Sequence, residues 1–356
     1  MRILVRAPNW LGDAVMALPA VRALRRSLPE AHIALLARAW VAGLYRRESC
    51  TDEIILVPGP YGWRRWISLV RLVARLRRAR FDWALLLPNS LESALIPWLA
   101  RIPRRTGYDR HGRGCLLTDA VAAPPRGSIP WHESFQYLEL LRRAGVIASL
   151  PEPAPILLEG IEQARERGRQ LVAAMGLGGP LVGISPGAQN SRAKQWPAER
   201  FVEAGERLAA ELRARVVVFG TAAERALGQR VAAALRRHGT RVINLVGETT
   251  LEDFAALASV CRVFLSNDSG AMHLASALGV PTVAVFGPTE WFATGPAGPR
   301  AIVIREPVEC SPCMLRDCPT DHRCMLRISS ERVVSTALAL VAEKPIHGHS
   351  PEDSAA

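Results

Sequence analysis

The chain has almost no lysine and few aromatic residues. Of its 45 lysines and arginines only Lys194 and Lys344 are lysines, and aromatic residues make up 6% of the chain. The formal net charge of +12 predicts an anionic partner, although a solvated arginine-rich surface accounts for part of it. Because no zinc-finger or RNP-type motif accompanies the charge, a phosphorylated substrate or an acidic membrane is a better candidate than nucleic acid.

Long apolar runs and nucleotide-loop motifs are also missing. No window holds 18 unbroken apolar residues, which argues against a membrane-spanning helix. The start, MRILVRAPNWLGD, carries Arg, Pro and Asp where a signal peptide needs an apolar core, so we interpret it as a first strand of a cytoplasmic protein. No G-x-G-x-x-G occurs and no glycine precedes either lysine, which argues against NAD-dependent dehydrogenases and P-loop kinases.

The architecture follows from length and alternation. A chain of 356 residues with 49% hydrophobic content is long enough for two cores. Strands are predicted at 3–5, 33–37, 54–57, 84–87, 181–185, 216–219, 242–246, 263–265 and 282–286, with helices at 13–27, 132–144, 198–213 and 223–237. This pattern predicts an α/β fold of two Rossmann-like, doubly wound domains facing a central cleft.

A proline-rich stretch at 150–155, LPEPAP, marks the boundary between the domains. We therefore predict an N-terminal domain at 1–155 and a C-terminal domain at 156–345. The second includes a cysteine cluster at 310–324 and a last helix at 330–342, and a polar tail at 346–356 is expected to be disordered.

The stretch VFLSNDSGAMHLASALGVPTVAVFGP, from Val263 to Pro288, predicts a strand, a sharp turn, a helix and a second strand. A helix that starts at the carboxyl end of a parallel strand directs free N–H groups into the sheet crevice, where they suit a phosphate. Gly270 permits close approach, Ser269 adds a hydroxyl and His273 follows one turn later. An ordinary capped βαβ turn is the alternative.

Two further polar turns follow strands in the first half. Gly12 and Asp13, after Asn9, come just past the first strand, where Asp13 is either a proton acceptor at the cleft or a helix N-cap. Asn89 and Ser90 follow the strand at 84–87 and either face the same cleft or cap a helix. Asn9, Gly12, Asn89 and Ser90 are the predicted acceptor side.

In the second half, the segment ISPGAQNSRAKQWP carries Ser191 and Lys194 after a strand. Lys194 is either a point charge for a phosphate or an exposed loop lysine. Glu224 follows the next strand, where it is either a ligand for ribose hydroxyls or a stabiliser of the first helical turn.

Three segments, 267–288, 185–197 and 87–108, resemble the ADP-heptose:lipopolysaccharide heptosyltransferases, most closely the heptosyltransferase II group. The resemblance covers residues 1 to about 342. It implies a GT-B fold and inverting, metal-independent transfer of L-glycero-D-manno-heptose from ADP-heptose to the first heptose of the inner core, with no cofactor. It also implies an enzyme at the inner leaflet of the inner membrane that meets a lipid-linked, phosphorylated acceptor.

The resemblance also implies roles for the candidate residues. Asp13 is the general base, and Gly12 belongs to its motif. Lys194 stabilises the leaving diphosphate. Donor-binding residues are Ser191, Lys194, Glu224, Asp268, Ser269, Gly270 and His273, with Asp268 holding sugar hydroxyls.

Other functions remain possible from the sequence. A sister heptosyltransferase acting on Kdo or on another core heptose differs only in its acceptor. A non-catalytic nucleotide-sugar-binding module that docks on the membrane predicts binding without turnover. A nucleic-acid-binding protein predicts steeply salt-dependent binding to oligonucleotides.

The segment 63–80 is basic and amphipathic, with Trp66, Leu69, Val70, Val73 and Leu76 on one face and arginines mostly on the other. It is either a helix packed on the sheet with a solvated basic face or a surface for an anionic leaflet or a lipid-linked acceptor.

Four cysteines, Cys310, Cys313, Cys318 and Cys324, lie within fifteen residues. Reduced thiols, a structural zinc or iron–sulfur site and disulfides are the three interpretations, and the spacing is not that of a standard zinc motif. Some heptosyltransferase II relatives resemble the chain here, but the family's chemistry needs no metal.

Overall fold

A computed structural model describes residues 1–59, 64–189 and 191–343. Its strands are β1 (Arg2–Arg6), β2 (His32–Arg38), β3 (Glu53–Val57), β4 (Trp83–Leu86), β5 (Arg104–Tyr108), β6 (Asp119–Val121), β7 (Leu181–Ser185), β8 (Arg215–Val218), β9 (Val242–Asn244), β10 (Val263–Asn267), β11 (Thr282–Phe286) and β12 (Ala301–Arg305). The expected tail at 346–356 lies outside the described residues, as does Trp63.

The helices alternate with these strands. They are α1 (Leu11–Ser27), α2 (Ala39–Tyr45), α3 (Arg64–Ala79), α4 (Leu91–Leu99), α5 (Ser134–Arg143), α6 (Ile161–Ala174), α7 (Ala198–Glu211), α8 (Arg225–Arg237), α9 (Leu251–Ser259), α10 (Gly270–Ala277), α11 (Trp291–Thr294), α12 (Arg323–Leu326) and α13 (Ser330–Ala342). Short 3-10 helices cover 114–116, 192–194 and 222–224. Among the described residues, no helix is both long and apolar enough to cross a bilayer.

The strands form two parallel six-stranded sheets with the same topology. The order is β3-β2-β1-β4-β5-β6 in the first sheet and β12-β11-β10-β7-β8-β9 in the second. In each sheet, the strands that follow the first one in sequence lie first on one side of it and then on the other. This switch point falls between β1 and β4 in the first sheet and between β7 and β10 in the second. Ligands of open α/β sheets bind at such switch points, outside the carboxyl ends of the strands. The predicted two-lobed α/β fold of the GT-B type is therefore confirmed.

Each sheet is covered by helices on both faces, as its near-continuous apolar strands require. In β1, Ile3 and Val5 pack with α1, α2 and α5, whereas Leu4 packs with α3 and α4 on the opposite face. The larger apolar cluster continues into the second lobe, where it takes in α6, α9 and α10. The two lobes therefore share one buried core on the side where α1 meets α10.

The segment between the sheets matches the predicted linker, because residues 150–158 form neither helix nor strand. The segment is fixed to the second lobe, since Ile156 N–H donates to Ala297 O at 2.8 Å and Leu158 N–H donates to Ala277 O at 2.9 Å. The division at residue 155 remains a prediction.

Candidate active site

The two switch points carry the predicted polar turns and face each other across the lobes. Helix α1 begins directly after β1, and α10 begins directly after β10. Their first turns pack together at two glycines. A Cβ on Gly12 would lie 2.7 Å from Cδ2 of His273, and a Cβ on Gly270 would lie 2.8 Å from Cβ of Leu11. Glycine at both positions lets the two helix starts approach more closely than larger residues would allow.

Asp13 occupies the first turn of α1, but it is not the N-cap. Trp10 holds that position, so the N-cap alternative for Asp13 is wrong. Within the described residues the Asp13 carboxylate has no hydrogen-bond or ion-pair partner. Burial raises the pKa of Asp13 to about 6, while Lys194 opposes the rise and Asp268 adds to it. A carboxylate with this pKa is a stronger base than ordinary aspartate and is still ionised at neutral pH.

Lys194 and Asp268 form the charged pair of the second lobe. Lys194 Nζ lies 2.7 Å from Asp268 Oδ2, and the two side chains are 28% and 7% exposed. Thr289 Oγ1 donates to the same oxygen at 2.8 Å. The exposed-loop interpretation of Lys194 is therefore wrong. In this structure the Asp268 carboxylate pairs with Lys194 and accepts a hydrogen bond from Thr289. Its contact with sugar hydroxyls remains a prediction.

The loop that carries Lys194 is held from two sides. Asn267 Oδ1 accepts from Trp196 N–H at 2.9 Å, and Asn267 Nδ2 donates to Pro186 O at 2.8 Å. From the other side, Ser191 Oγ donates to Arg316 O at 3.2 Å, and Ala193 N–H donates to the same oxygen at 2.9 Å. The Ser191 hydroxyl, which is predicted to contact the donor, therefore already has a hydrogen-bond partner within the protein.

The phosphate-suited turn is built as the sequence predicted. Ser269 precedes α10 in extended backbone conformation without capping it, and its hydroxyl pairs with Ser266 Oγ at 3.0 Å. His273 is buried against Gly12, and burial lowers its pKa to about 4. Its imidazole is neutral at physiological pH and supplies hydrogen bonds rather than charge.

Glu224 closes a capping box with Thr221, whose N–H donates to Glu224 Oε2 at 2.7 Å. The interpretation of Glu224 as a stabiliser of the first turn is thus confirmed. The carboxylate also lies over Gly187, because a Cβ there would come within 1.9 Å of Glu224 Oε1. Glu224 therefore borders the turn after β7, and its contact with ribose stays a prediction.

On the first lobe, a cavity of about 340 Å³ opens beside Asp13. It is lined by the predicted base Asp13 and by three of the four predicted acceptor residues, Asn9, Asn89 and Ser90, whereas Gly12 is not part of its lining. Ser90 also caps α4, since its hydroxyl accepts from Ser93 N–H at 3.3 Å. The sequence analysis did not identify several other residues that line this cavity, namely Tyr108, Arg110, Glu133, Gln136 and Tyr137.

Buried Arg113 holds the turn at Asn89 and Ser90. Its guanidinium donates to Asn89 Oδ1 at 3.2 Å, to Ser93 Oγ at 2.7 Å and to Tyr108 O at 3.0 Å. Its sequence neighbours gave no sign of this role, because Arg113 is one of many arginines in a chain rich in them.

The cysteine cluster packs behind the Lys194 loop, where His322 Nε2 lies 2.7 Å from Ala193 O. All four thiols are free, and only Cys324 is buried. In the part of the chain that the structure describes, no set of three or more His, Cys, Asp or Glu side chains is arranged to hold a metal ion. Whether these four cysteines are reduced thiols or bind a metal stays a prediction, and metal analysis of the purified protein would test it.

The close approach at Gly12 gives a first testable prediction. Gly12→Ala should lower the rate of the reaction at this site about 10-fold or more, because the added methyl group meets the buried His273 ring and separates the two helix starts. Gly59→Ala is the matched control, since a Cβ there meets no atom of the described residues within 4 Å. Equal rates for the two variants would contradict the proposed role of this contact.

Two facing Rossmann-like lobes with a carboxylate on one and a lysine beside a helix N-terminus on the other define a GT-B glycosyltransferase. Residues 69–323 match the family model for glycosyltransferase family 9 (heptosyltransferase), and the chain belongs to this family.

Named relatives agree with the family assignment. The chain is 33% identical over 352 residues to lipopolysaccharide heptosyltransferase 2 of Salmonella typhimurium, covering 97% of this chain and 100% of the relative. It is 32% identical over 349 residues to the Escherichia coli protein of the same name, covering 97% and 99%. The solved structure of E. coli ADP-heptose lps heptosyltransferase II superposes with a TM-score of 0.80 at 32% identity, covering 96% of this chain and 98% of that one.

Proposed function

We propose that the protein transfers L-glycero-D-manno-heptose from ADP-heptose to the first heptose of the lipopolysaccharide inner core. The names of its relatives support this substrate pair. The single observation that carries the chemistry is the unpaired Asp13 carboxylate, which lies in a cavity on one lobe while Lys194 and the start of α10 lie on the other.

The proposed mechanism is an inverting single displacement. Asp13 removes the proton from the attacking hydroxyl of the acceptor, and the resulting oxygen forms a bond to the anomeric carbon of heptose. The bond from that carbon to the diphosphate oxygen breaks, and ADP leaves from the opposite face. Lys194 and the free N–H groups at Ser269 and Gly270 stabilise the negative charge on the leaving group.

We further propose that no divalent ion is needed, because Lys194 and the helix start already oppose the charge of the diphosphate. His273 is neutral and therefore orients the sugar or phosphate through hydrogen bonds. Glu224 would bind the ribose hydroxyls from its place beside Gly187.

A transfer assay with defined acceptors tests the proposed function. ADP-heptose is supplied in three separate reactions, with Kdo–lipid A, with heptosylated Kdo–lipid A or with an acceptor extended by a second heptose. The masses of the products are measured by mass spectrometry. We expect one heptose to be added to the singly heptosylated acceptor, with or without EDTA. Preferred addition to Kdo–lipid A or to the extended acceptor would identify a sister enzyme instead, and donor binding without any product would identify a non-catalytic module.

Helix α3 is the surface that we propose for peripheral contact with an anionic membrane. Of the predicted apolar face, Leu69, Val73 and Leu76 pack against the core of the first lobe. Trp66 and Val70 of that face are each 68% exposed, and the neighbouring Ile67 is 44% exposed. Exposed arginines flank this apolar face. An apolar face bordered by arginine suits the interface of an acidic bilayer, where the lipid-linked acceptor resides.

A vesicle assay tests this surface. Trp66→Ser should reduce co-sedimentation with phosphatidylglycerol vesicles by at least about threefold, because it removes apolar area that inserts among the headgroups. Leu326→Ser is the matched control, since Leu326 is also exposed, at 50%, but lies on the second lobe. Equal sedimentation of both variants and the unmodified protein would contradict the assignment.

A further inference from the structure

Four polar side chains that line the cavity beside Asp13 already have partners within the protein. Arg6 Nη2 donates to Asn9 Oδ1 at 2.6 Å, and Arg113 Nη2 donates to Asn89 Oδ1 at 3.2 Å. The Tyr108 hydroxyl donates to Gln136 O at 2.7 Å. Ser90, as described above, caps α4. These groups shape the wall of the cavity and leave little hydrogen-bonding capacity for a ligand.

A second set, of five side chains, is left without a partner among the residues that the structure describes. It consists of Asp13, Arg110, Glu133, Gln136 and Tyr137. Unpaired polar groups that line a cavity indicate where a ligand supplies the missing hydrogen bonds. Asp13 is the proposed base, so the remaining members of this set are candidates for contacts that hold the acceptor.

Glu133 is the anionic member of that set, and its backbone is fixed across the boundary between the lobes. Its N–H donates to Ala293 O on the second lobe at 2.9 Å, and the ring of the preceding His132 lies 3.1 Å from Gly295 O. The carboxylate itself stays unpaired and lines the cavity. Gln136 follows three residues later and lines the same cavity, as expected for two positions on one face of a helix.

The charge environment of Glu133 suits an uncharged ligand group. Burial raises the pKa of Glu133 to about 7, Asp13 adds to the rise and Arg110 opposes it. Near neutral pH the carboxyl group is therefore present in both forms, and it both accepts from and donates to a neighbouring hydroxyl. In its protonated form it adds no negative charge beside the Asp13 carboxylate.

We propose that Glu133 is an acceptor-binding and specificity residue, which together with Gln136 hydrogen-bonds hydroxyl groups of the accepting sugar next to the hydroxyl that Asp13 activates. This inference rests on the proposed function and extends it to one side of the site. A cavity that pairs a carboxyl with a substrate hydroxyl rejects a sugar lacking that hydroxyl, because the buried carboxyl is then left unpaired.

Steady-state kinetics of Glu133→Ala test the proposal. The acceptor KM should rise about 10- to 100-fold, as expected for loss of hydrogen bonds to a charged group, while the donor KM stays within about twofold of the unmodified protein. Glu133→Met, which keeps the length of the side chain but makes no such hydrogen bonds, should behave in the same way. Glu30→Ala is the matched control, because Glu30 is exposed beyond the far end of α1.

Acceptors that lack single hydroxyl groups provide a readout that a structural role would not affect. The unmodified protein should discriminate against one deoxy acceptor about as strongly as Glu133→Ala impairs the full acceptor, and Glu133→Ala should lose that discrimination. If the unmodified protein transfers heptose and both variants keep its acceptor KM and its discrimination, the proposal for Glu133 is overturned. If the unmodified protein transfers no heptose to any acceptor, the proposed function fails instead.

Discussion

Asp13→Asn should lower the rate of heptose transfer about 10²- to 10⁴-fold, the range that a positioned general base contributes. The asparagine side chain keeps the shape of the site but cannot accept the proton of the acceptor hydroxyl. Transfer is followed by the release of ADP at saturating acceptor. Binding of ADP-heptose, measured by calorimetry, should be nearly unchanged, because Asp13 lies on the opposite lobe from Lys194 and α10.

The same substitution should stabilise the protein at neutral and alkaline pH. Because the folded state raises the pKa of Asp13 from 3.8 to about 6, ionising this carboxyl costs the folded state more than the unfolded chain. The cost appears as pH rises through 4 to 6, is complete above about 6, and amounts to at most about 3 kcal/mol.

Asp13→Asn removes this cost, so its free energy of unfolding should exceed that of the unmodified protein by about 1–3 kcal/mol at pH 8. The difference should be nearly gone at pH 3, where the carboxyl is protonated in the folded state and largely protonated in the unfolded chain. Denaturant unfolding at the two pH values measures it. A variant that retains near-normal turnover, or that is less stable at pH 8, would contradict the assignment of Asp13 as a desolvated base.

The second large effect is expected at Lys194. Lys194→Met should lower turnover about 10²- to 10³-fold, because it removes a preorganised charge that opposes the charge developing on the diphosphate. Since Lys194 also lowers the pKa of Asp13, the acidic limb of the pH–rate profile should move to higher pH in this variant. Rapid-quench kinetics over pH 5 to 9 measure both effects.

Loss of Lys194 should also destabilise the fold, because it leaves Asp268 buried without its cation. Thr289 still donates to Asp268, so we expect a loss of about 2–3 kcal/mol, at or below the low end for a broken buried pair. The double variant Lys194→Met, Asp268→Asn should recover this stability without recovering turnover. Arg192→Met is the matched control, since Arg192 is in the same loop but its side chain is 84% exposed. Recovery of turnover in the double variant would show that Lys194 acts only on the fold.

The sequence predicted the fold and the position of the main polar turns because both follow from local pattern. Buried parallel strands such as β7 and β11 are continuous apolar runs, and their predicted bounds were correct. Asp13, Lys194, Asp268 and Ser269 each follow a predicted strand by a few residues. Because parallel strands end at the same edge of a sheet, the sequence alone predicts these residues at the cleft.

Short polar strands and contacts between distant segments were not predictable in this way. Strands β5 (RRTGY) and β6 (DAV) are short and partly polar, so they lack the apolar run that identifies a central strand. Thr289, which bonds Asp268, and Glu133, which joins the acceptor cavity, depend on how distant segments pack against each other. No local spacing encodes those contacts.

The central claim is that the acceptor hydroxyl meets the donor between Asp13 on one lobe and Lys194 on the other. A crystal structure of the Asp13→Asn variant with ADP-heptose and a heptosylated Kdo acceptor tests it most directly. We predict a hydroxyl of the acceptor heptose within hydrogen-bonding distance of the side chain at position 13 and the diphosphate in contact with Lys194 and the start of α10. An acceptor bound outside the cavity beside Asp13, or a diphosphate bound away from Lys194, would contradict the account.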